Sequence, residues 1–316
     1  MKPYIADLVP NEEITSYFLI SDAPIVRKSK KGMDYACLEF IDKSGKIDAR
    51  LWEIPKDLEV SALKKVIVKV RGQVTEWQDQ QQISISQIRI VNGGDEVDMA
   101  DFFERSVRDP EEMWSELFHI VDMSIVDEGV LTLIRRMLLQ NKANFCKAPA
   151  AKSVHHAYLG GLVEHILDMC NVALPICKNY SLNVDLVLAG CVLHDVGKLF
   201  ELSYDMGIGY TLEGSMLGHI TQGMLLIAKE IDGIENFSAQ AKVAILHLVA
   251  SHHGLLAYGS PRVPLMREAI ALNLIDLLSS KMGICARAIK SGINSEGLTD
   301  WVKELEGPLW ILPEAE

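Results

Sequence analysis

The residues best suited to chemistry are His194 and Asp195, which stand together at the end of an apolar helical run. An imidazole and a short carboxylate at neighbouring helical positions can converge on one cation, because their different lengths span the ~100° step between them. Gly197 lets the chain turn away, and Lys198 follows where its ammonium could hold a phosphate oxygen. The cluster predicts a divalent-cation site, with Asp195 and Lys198 as candidate catalytic residues.

Further candidate ligands come from other helical segments. His165 flanks the apolar stripe of one segment, and Asp276 ends the core-type run ALNLID of another. A buried carboxylate without a partner is costly, so Asp276 is expected to face a charged partner. A metal-free buried polar network is the alternative, but such a network is harder to satisfy without a cation. Mixed histidine and carboxylate ligands favour Mn²⁺, Fe²⁺ or Co²⁺ over Mg²⁺, and we expect Mn²⁺ first.

The elements that must position these residues begin with a strand-rich region. Five segments have the pattern of short β-strands: 14–23, 35–42, 46–53, 66–75 and 82–91. A helix-like stretch over 55–65 separates the third from the fourth, and a phase slip between Ile85 and Ile88 predicts a β-bulge. Five strands with a helix after the third are typical of an OB-fold, so we predict an all-β OB-fold barrel.

The second half of the chain has helical periodicity, which predicts a multidomain protein with an all-α domain after the barrel. Gly93 and Gly94 open an acidic stretch that contains Pro110, a composition typical of a linker. We therefore predict three parts: an OB-fold domain over 1–94, a linker over 95–112 and a helical domain with a C-terminal tail over 113–316.

The net charge of −12 is unevenly distributed between these parts. Residues 1–94 carry a net charge of +1, whereas residues 95–316 carry −13. Overall acidity therefore does not exclude a nucleic-acid binder, because the N-terminal region lacks the negative charge that would repel phosphates. Eight of the nine histidines lie between His155 and His253, in the helical region.

The N-terminal region also holds the ingredients of a single-strand binding surface. A basic run lies where the loop between the first two strands is expected, and several aromatic residues lie on or beside strands. Cationic grooves with stacking platforms bind single-stranded nucleic acids. The candidate contact residues are Arg27, Lys28, Lys30, Lys31, Tyr35, Trp52 and Trp77. The alternative is that the basic loop is merely solvated.

The series His165, His194-Asp195 and Asp276 resembles the HD superfamily of metal-dependent phosphohydrolases. The resemblance implies that the helical domain is an HD domain, and that a second cation binds beside the first. It places His219, His252 and His253 as ligands of that second cation, with Asp195 bridging both ions. A mononuclear site with additional histidines nearby is the alternative. Ser279 stands where this pattern would place a further acid after Asp276.

Several further motifs sharpen the resemblance. The runs APAAK at 148–152, HHAYLGG at 155–161, HDVGK at 194–198 and SHHG at 251–254, behind an OB-fold, resemble the YhaM-type 3′→5′ exoribonucleases over about residues 12–290. That family implies hydrolysis of single-stranded RNA to nucleoside 5′-monophosphates, with single-stranded DNA as a second candidate partner. Two alternatives stay open: an HD phosphodiesterase of cyclic dinucleotides or free nucleotides with a regulatory OB-fold, and a non-catalytic RNA-binding scaffold.

The remaining composition bears on the compartment. Acidic residues lie near the N-terminus where a secretory signal would need an apolar core, and the longest uncharged run, 243–261, contains three histidines. Six cysteines without any C-x-x-C argue against a zinc ribbon and a disulfide framework. We expect a cytoplasmic protein without a membrane partner, which could form a homo-oligomer.

Overall fold

The computed structural model describes residues 3–20, 22–29, 32–56, 58–77, 80–98, 101–103, 105–151, 156–203 and 209–312. The chain forms two compact units. The first comprises Met1–Glu104 with Ser203–Ile208, and the second comprises Arg105–Leu202 with Gly209–Glu316. The division between Glu104 and Arg105 lies inside the segment 95–112, which the sequence analysis interprets as a linker.

The first unit is a closed β-barrel. Its strands are β1 Glu13–Ile20, β2 Ile25–Lys28, β3 Asp34–Asp42, β4 Gly45–Leu51, β5 Val66–Trp77 and β6 Gln80–Ile90. They follow the order β1-β5-β6-β4-β3-β2, and a further pairing of β1 with β3 closes the barrel. Strands β4 and β6 pair in parallel, while the other neighbours are antiparallel. This topology confirms the predicted OB-fold.

Alternating side chains fill the interior of the barrel. Phe18 from β1 and Phe40 from β3 stack with ring centroids 5.0 Å apart, and both are fully buried. Burying a side chain of this size is worth about 1.5–3 kcal/mol, so these rings anchor the core. The predicted bulge is confirmed: Arg71 pairs with Gln87 whereas Gly72 pairs with Ile85, which leaves one extra residue in β6.

Two local predictions for the barrel are wrong. Arg27 and Lys28 lie in the short strand β2 rather than in a loop, because every residue of that strand is exposed and no apolar alternation marks it. The helix predicted over 55–65 is reduced to a 3-10 turn, Val60–Ala62. Leu63 just after the turn is fully buried in the barrel core, and Leu58 and Val60 pack against the same core, so these side chains anchor the stretch without a regular helix.

The beginning of the predicted linker packs on the barrel. Phe102 is buried against Leu19 and Ile67. Asp95 accepts hydrogen bonds from both terminal nitrogens of Arg89, each at 2.6 Å. These contacts attach residues that follow β6 to the surface of the first unit.

The second unit is helical, as predicted. Its helices are α1 Pro110–Ser124, α2 Glu128–Lys147, α3 Gly161–Tyr180, α4 Val184–Leu193, α5 Lys198–Glu201, α6 Leu212–Asp232, α7 Ala239–Ser251 and α8 Arg267–Ser291. Two short strands, β7 Leu202–Ser203 and β8 Gly209–Tyr210, lie between α5 and α6. Side-chain caps start several helices; Asp109, for example, accepts hydrogen bonds from the backbone of Glu111 and Glu112 at the start of α1.

Helix α4 is the central element of this unit. All residues from Val187 to Leu193 are buried, and α4 packs against α2, α3, α7 and α8. A helix that is apolar all round must be surrounded in this way. Helix α8, within the described chain, is also long and apolar enough to cross a membrane by length and composition alone. It packs here against α3, α4 and α7.

Candidate metal centre

The C-terminal end of helix α4 lies in the middle of the helical unit. His194 is the C-terminal cap of α4, and its Nδ1 donates to the carbonyl of Cys191 at 3.0 Å. A carbonyl can only accept, so this bond places the proton on Nδ1 and leaves Nε2 as a ligand atom. His194 Nε2 lies 3.1 Å from Asp195 Oδ2.

The two oxygens of Asp195 face different histidines. Oδ2 faces His194, whereas Oδ1 lies 3.5 Å from His219 Nε2 and 3.7 Å from His252 Nε2. The ligand atoms of His165, His194 and Asp195 form one group within 4.8 Å of one another, and those of His219, His252 and His253 form a second. Asp195 therefore lies between two groups that could each hold a cation.

Asp276 lies on helix α8, next to His165 of the first group. Its Oδ1 lies 3.3 Å from His165 Nε2. The hydrogen bond from His165 lowers the pKa of Asp276 below its ordinary value even though burial opposes this. Burial likewise opposes ionisation of Asp195, but the neighbouring His194 and Lys198 outweigh burial and keep the Asp195 pKa well below its ordinary value. Both carboxylates are thus ionised at neutral pH, as cation ligands must be.

The donor set fits divalent cations. Buried Nε2 atoms of His194, His219 and His252 and Oδ1 of Asp195 have no hydrogen-bond partner. Each buried polar atom left in this way costs about 1–3 kcal/mol. Burial lowers the pKa of His252 to about 3, so its imidazole is neutral and its Nε2 lone pair is available. Cations would satisfy these convergent atoms, which favours a metal centre over a metal-free polar network.

Backbone and side-chain anchors orient the other imidazoles. His252 Nδ1 donates to the carbonyl of Val249 at 2.7 Å, and His253 Nδ1 donates to the carbonyl of Tyr258 at 2.9 Å. His165 Nδ1 lies 2.9 Å from Ser279 Oγ. Anchors of this kind fix ring orientation in metal sites. Ser279, where an acid was expected, therefore holds a candidate ligand in place.

Lys198 lies inside the cluster rather than at its edge. Its Nζ donates to Asp195 Oδ2 at 2.6 Å, one helical turn beyond the aspartate. The ammonium is largely buried, with 13% of the side chain exposed. The structure thus pairs the two candidate catalytic residues with each other.

Glu201 is a residue of this centre that the sequence analysis missed. It lies at the end of α5 and is buried. Its Oε1 accepts from the backbone nitrogen of His219 at 3.0 Å, and its Oε2 lies 3.2 Å from His219 Nδ1. The available signal was an acid, three residues after Lys198, within the apolar stretch LFEL.

The motif at 155–161 also reaches the centre. The ring of His156 lies 5.6 Å from that of His165, between centroids. His156 Nδ1 is 2.9 Å from the hydroxyl of Tyr158, which in turn donates to Glu164 Oε2 at 3.0 Å. His155 lies outside the described residues.

The candidate nucleic-acid residues lie on the barrel. Tyr35 and Trp52 stack with centroids 4.8 Å apart, and Arg27 of β2 pairs in register with Tyr35 of β3. Lys28 is exposed at the end of β2. Trp77 is 66% exposed and ends β5, on a different hairpin from the stacked pair. Lys30 and Lys31 fall outside the described residues.

The chain was compared with known protein families and solved structures. Residues 162–281 match the HD domain family, so the helical unit carries an HD domain. HD domains bind divalent metals. The chain is similar to the second OB-fold domain of replication protein A from Methanococcus maripaludis, at 27% identity over 30% of this chain and 100% of that chain, with a TM-score of 0.25. It is also similar to the HD domain of the phosphodiesterase PgpH from L. monocytogenes, at 16% identity over 48% of this chain and 73% of that chain, with a TM-score of 0.30.

Proposed function

We propose that this protein is a metal-dependent 3′→5′ exoribonuclease that hydrolyses single-stranded RNA to nucleoside 5′-monophosphates. The observation that carries the proposal is Asp195, whose two oxygens face two separate groups of histidine ligands. Paired divalent cations are suited to phosphodiester hydrolysis, since they supply Lewis acidity to the nucleophile and to the phosphoryl oxygens. The motifs shared with YhaM-type enzymes support RNA as the substrate.

The two cations have separate ligand sets in this proposal. The first is held by His165, His194, Asp195 and Asp276. The second is held by His219, His252, His253 and the other oxygen of Asp195. Mn²⁺ is the preferred ion, because mixed nitrogen and carboxylate ligands suit it better than Mg²⁺.

Lys198 is assigned to the phosphate of the substrate. Its ammonium lies on Asp195 Oδ2, the same oxygen that faces the first ligand group. Asp195 would hold a cation that supplies Lewis acidity, and the Lys198 ammonium beside it would be placed to hold a phosphoryl oxygen of the substrate. A charged hydrogen bond of this kind neutralises part of the charge that develops during phosphoryl transfer.

The OB-fold is assigned to holding the RNA strand. The Tyr35–Trp52 pair, of which Trp52 is 47% exposed, supplies a stacking surface beside the basic strand β2, which carries Arg27 and Lys28. Stacking on aromatic side chains tolerates any base, since every base has a π-face. Lys30, Lys31 and Trp77 remain further candidate contacts for the RNA strand.

The test uses purified full-length protein with single-stranded RNA labelled at either end. With Mn²⁺, the 5′-labelled RNA should shorten from its 3′ end, and the 3′-labelled RNA should release a labelled mononucleotide at once. Chelation should stop both reactions. Asp195→Ala should be inactive while folded, whereas His119→Ala, which changes an exposed histidine on α1, should keep full activity.

Three outcomes would contradict the proposal. Internal cleavage of a circular RNA would show an endonuclease. Hydrolysis of cyclic dinucleotides with no action on RNA would favour a different HD phosphodiesterase. Undiminished activity of Asp195→Ala would place the reaction elsewhere in the protein.

A further inference from the structure

Helix α6 is interrupted immediately before His219. Gly218 has φ 69° and ψ 158°, so the helical hydrogen-bond pattern breaks at this residue. A backbone N–H that follows such a break needs a new acceptor. The carboxylate of Glu201 provides it, because Oε1 accepts from the His219 backbone nitrogen at 3.0 Å.

The same carboxylate also holds the imidazole of His219. Glu201 Oε2 lies 3.2 Å from His219 Nδ1, and the side chains of His219 and Glu201 are only 14% and 11% exposed. A proton on Nδ1 directs the Nε2 lone pair the other way, toward Asp195 Oδ1 at 3.5 Å. One side chain therefore fixes both the backbone and the ring of a candidate ligand.

The separation of Glu201 from His219 is set by backbone packing. A Cβ at Gly197 would lie 1.9 Å from the carbonyl oxygen of His219, and a Cβ at Gly214 would lie 2.3 Å from the carbonyl oxygen of Glu201. Only glycine permits such close approach. Thr211 also donates its backbone N–H to the Glu201 carbonyl at 2.9 Å, so α5 and the start of α6 form a rigid support.

We infer that Glu201 is a positioning residue that sets the affinity of the second cation group, His219, His252 and His253, without ligating a cation itself. The inference rests on the two-cation centre of the proposed function. The first group uses other anchors, Cys191 for His194 and Ser279 for His165. Loss of Glu201 should therefore weaken the binding of one cation and leave the binding of the other unchanged.

The test is calorimetric titration of chelator-treated full-length protein with Mn²⁺. Wild type should take up two cations. Glu201→Ala should lower the affinity for one of them about 10–100-fold, which is the usual effect of losing a partner that orients a metal ligand. Glu201→Gln should lose less, because Oε1 alone lies 3.0 Å from the His219 backbone nitrogen and 3.3 Å from His219 Nδ1, so one amide oxygen can accept both hydrogen bonds. Glu213→Gln, an exposed acid in the first turn of α6, should bind as wild type does.

The results separate this inference from the proposal beneath it. Two cations in wild type and unchanged binding by Glu201→Ala overturn the inference alone. Equal weakening of both cations also overturns it, because Glu201 would then support the whole centre. If Glu201→Ala fails to fold, Glu201→Leu decides, because it keeps a side chain of similar size that accepts no hydrogen bond: a loss confined to one cation supports the inference, and no change refutes it. A wild type that binds fewer than two cations refutes the two-cation centre and the inference with it.

Discussion

Asp195 Oδ1 lies 3.5 Å from His219 Nε2, across the gap between the end of α4 and the break in α6. Its other oxygen lies 3.1 Å from His194 Nε2. A carboxylate placed in this way can serve two cations at once, and each cation then depends on its own remaining ligands. Variants of those remaining ligands should consequently have different effects on metal content.

We expect His219→Ala to empty mainly the second ligand group and Asp276→Ala mainly the first. Each variant should retain about one Mn²⁺ per chain by elemental analysis after dialysis, because Asp195 and the opposite group remain intact. His119→Ala is the matched histidine control, since it removes an exposed imidazole. Loss of both ions from either variant would show that the centre loads as one cooperative unit.

Ser279 should matter more to metal binding than its small size suggests. Its hydroxyl lies 2.9 Å from His165 Nδ1, so Ser279→Ala leaves that imidazole without its anchor. We expect the first cation to bind about tenfold more weakly, at the low end of the range for such partners. Competition with a fluorescent chelator would measure this. Ser291→Ala, which changes an exposed serine at the end of α8, is the control, and an equal effect there would point to helix stability instead.

The stacked Tyr35–Trp52 pair of the barrel should contribute to the affinity for RNA. Trp52→Ala removes a ring that lies 4.8 Å from Tyr35 and is 47% exposed. Base stacking is worth ~1–3 kcal/mol, so KM for long RNA should rise about tenfold while turnover of a small phosphodiester is unchanged. Trp52→Phe should recover most of the affinity. Unchanged RNA kinetics in Trp52→Ala would remove this pair from the binding surface.

Asp95 should stabilise the barrel in a pH-dependent way. Hydrogen bonds from Arg89, supported by the backbone of Asn92, lower the Asp95 pKa below its ordinary value. A depressed pKa means that the contribution is full above the unfolded value of about 3.9 and is lost as the pH falls below it. Asp95→Asn should therefore lower the melting temperature more at pH 7 than at pH 3, because the contribution of the ionised carboxylate shrinks progressively below the unfolded pKa. A constant difference at both pH values would show that ionisation of Asp95 is unimportant.

Features that depend on local sequence patterns are predicted correctly, whereas features that depend on contacts between distant residues are not. Alternation of buried and exposed residues marks β1 and β3, and the phase slip in β6 marks its bulge, because these signals are local. Strand β2 is not predicted from the sequence, because neither of its faces is buried and no apolar alternation marks it. The stretch 55–65 has the pattern of a helix, although it forms only a short 3-10 turn, with Leu63 fully buried and Leu58 and Val60 partly buried against the core.

The candidate ligands could be named from their motifs, but their anchors could not. Glu201 reaches His219 across 18 positions, and Ser279 reaches His165 across 114. Such contacts depend on how helices pack, which leaves no periodic trace in the sequence. Gly197 is interpreted from the sequence as a point where the chain turns away, whereas in the structure it allows a close approach to His219, and Gly218 forms the break in α6 that places His219.

The helical unit should keep its metal centre and its basic hydrolytic activity without the barrel. A fragment that begins at Arg105 keeps the bridge between Arg105 and Leu159, and the hydrogen bond from Ser106 to the carbonyl of Leu159, at the entrance to α3. All candidate metal ligands lie beyond this point. The fragment should bind Mn²⁺ and hydrolyse bis-p-nitrophenyl phosphate as the full chain does.

The same fragment should degrade long RNA poorly, because the stacking and basic residues of the barrel are gone. Its RNA kinetics should also depend less on salt, since fewer neutralised phosphates release counterions. The full chain with Arg27 and Lys28 changed to alanine should show a smaller shift in the same direction. Efficient degradation of long RNA by the fragment would contradict a substrate-holding role for the OB-fold and would favour regulation or partner binding there.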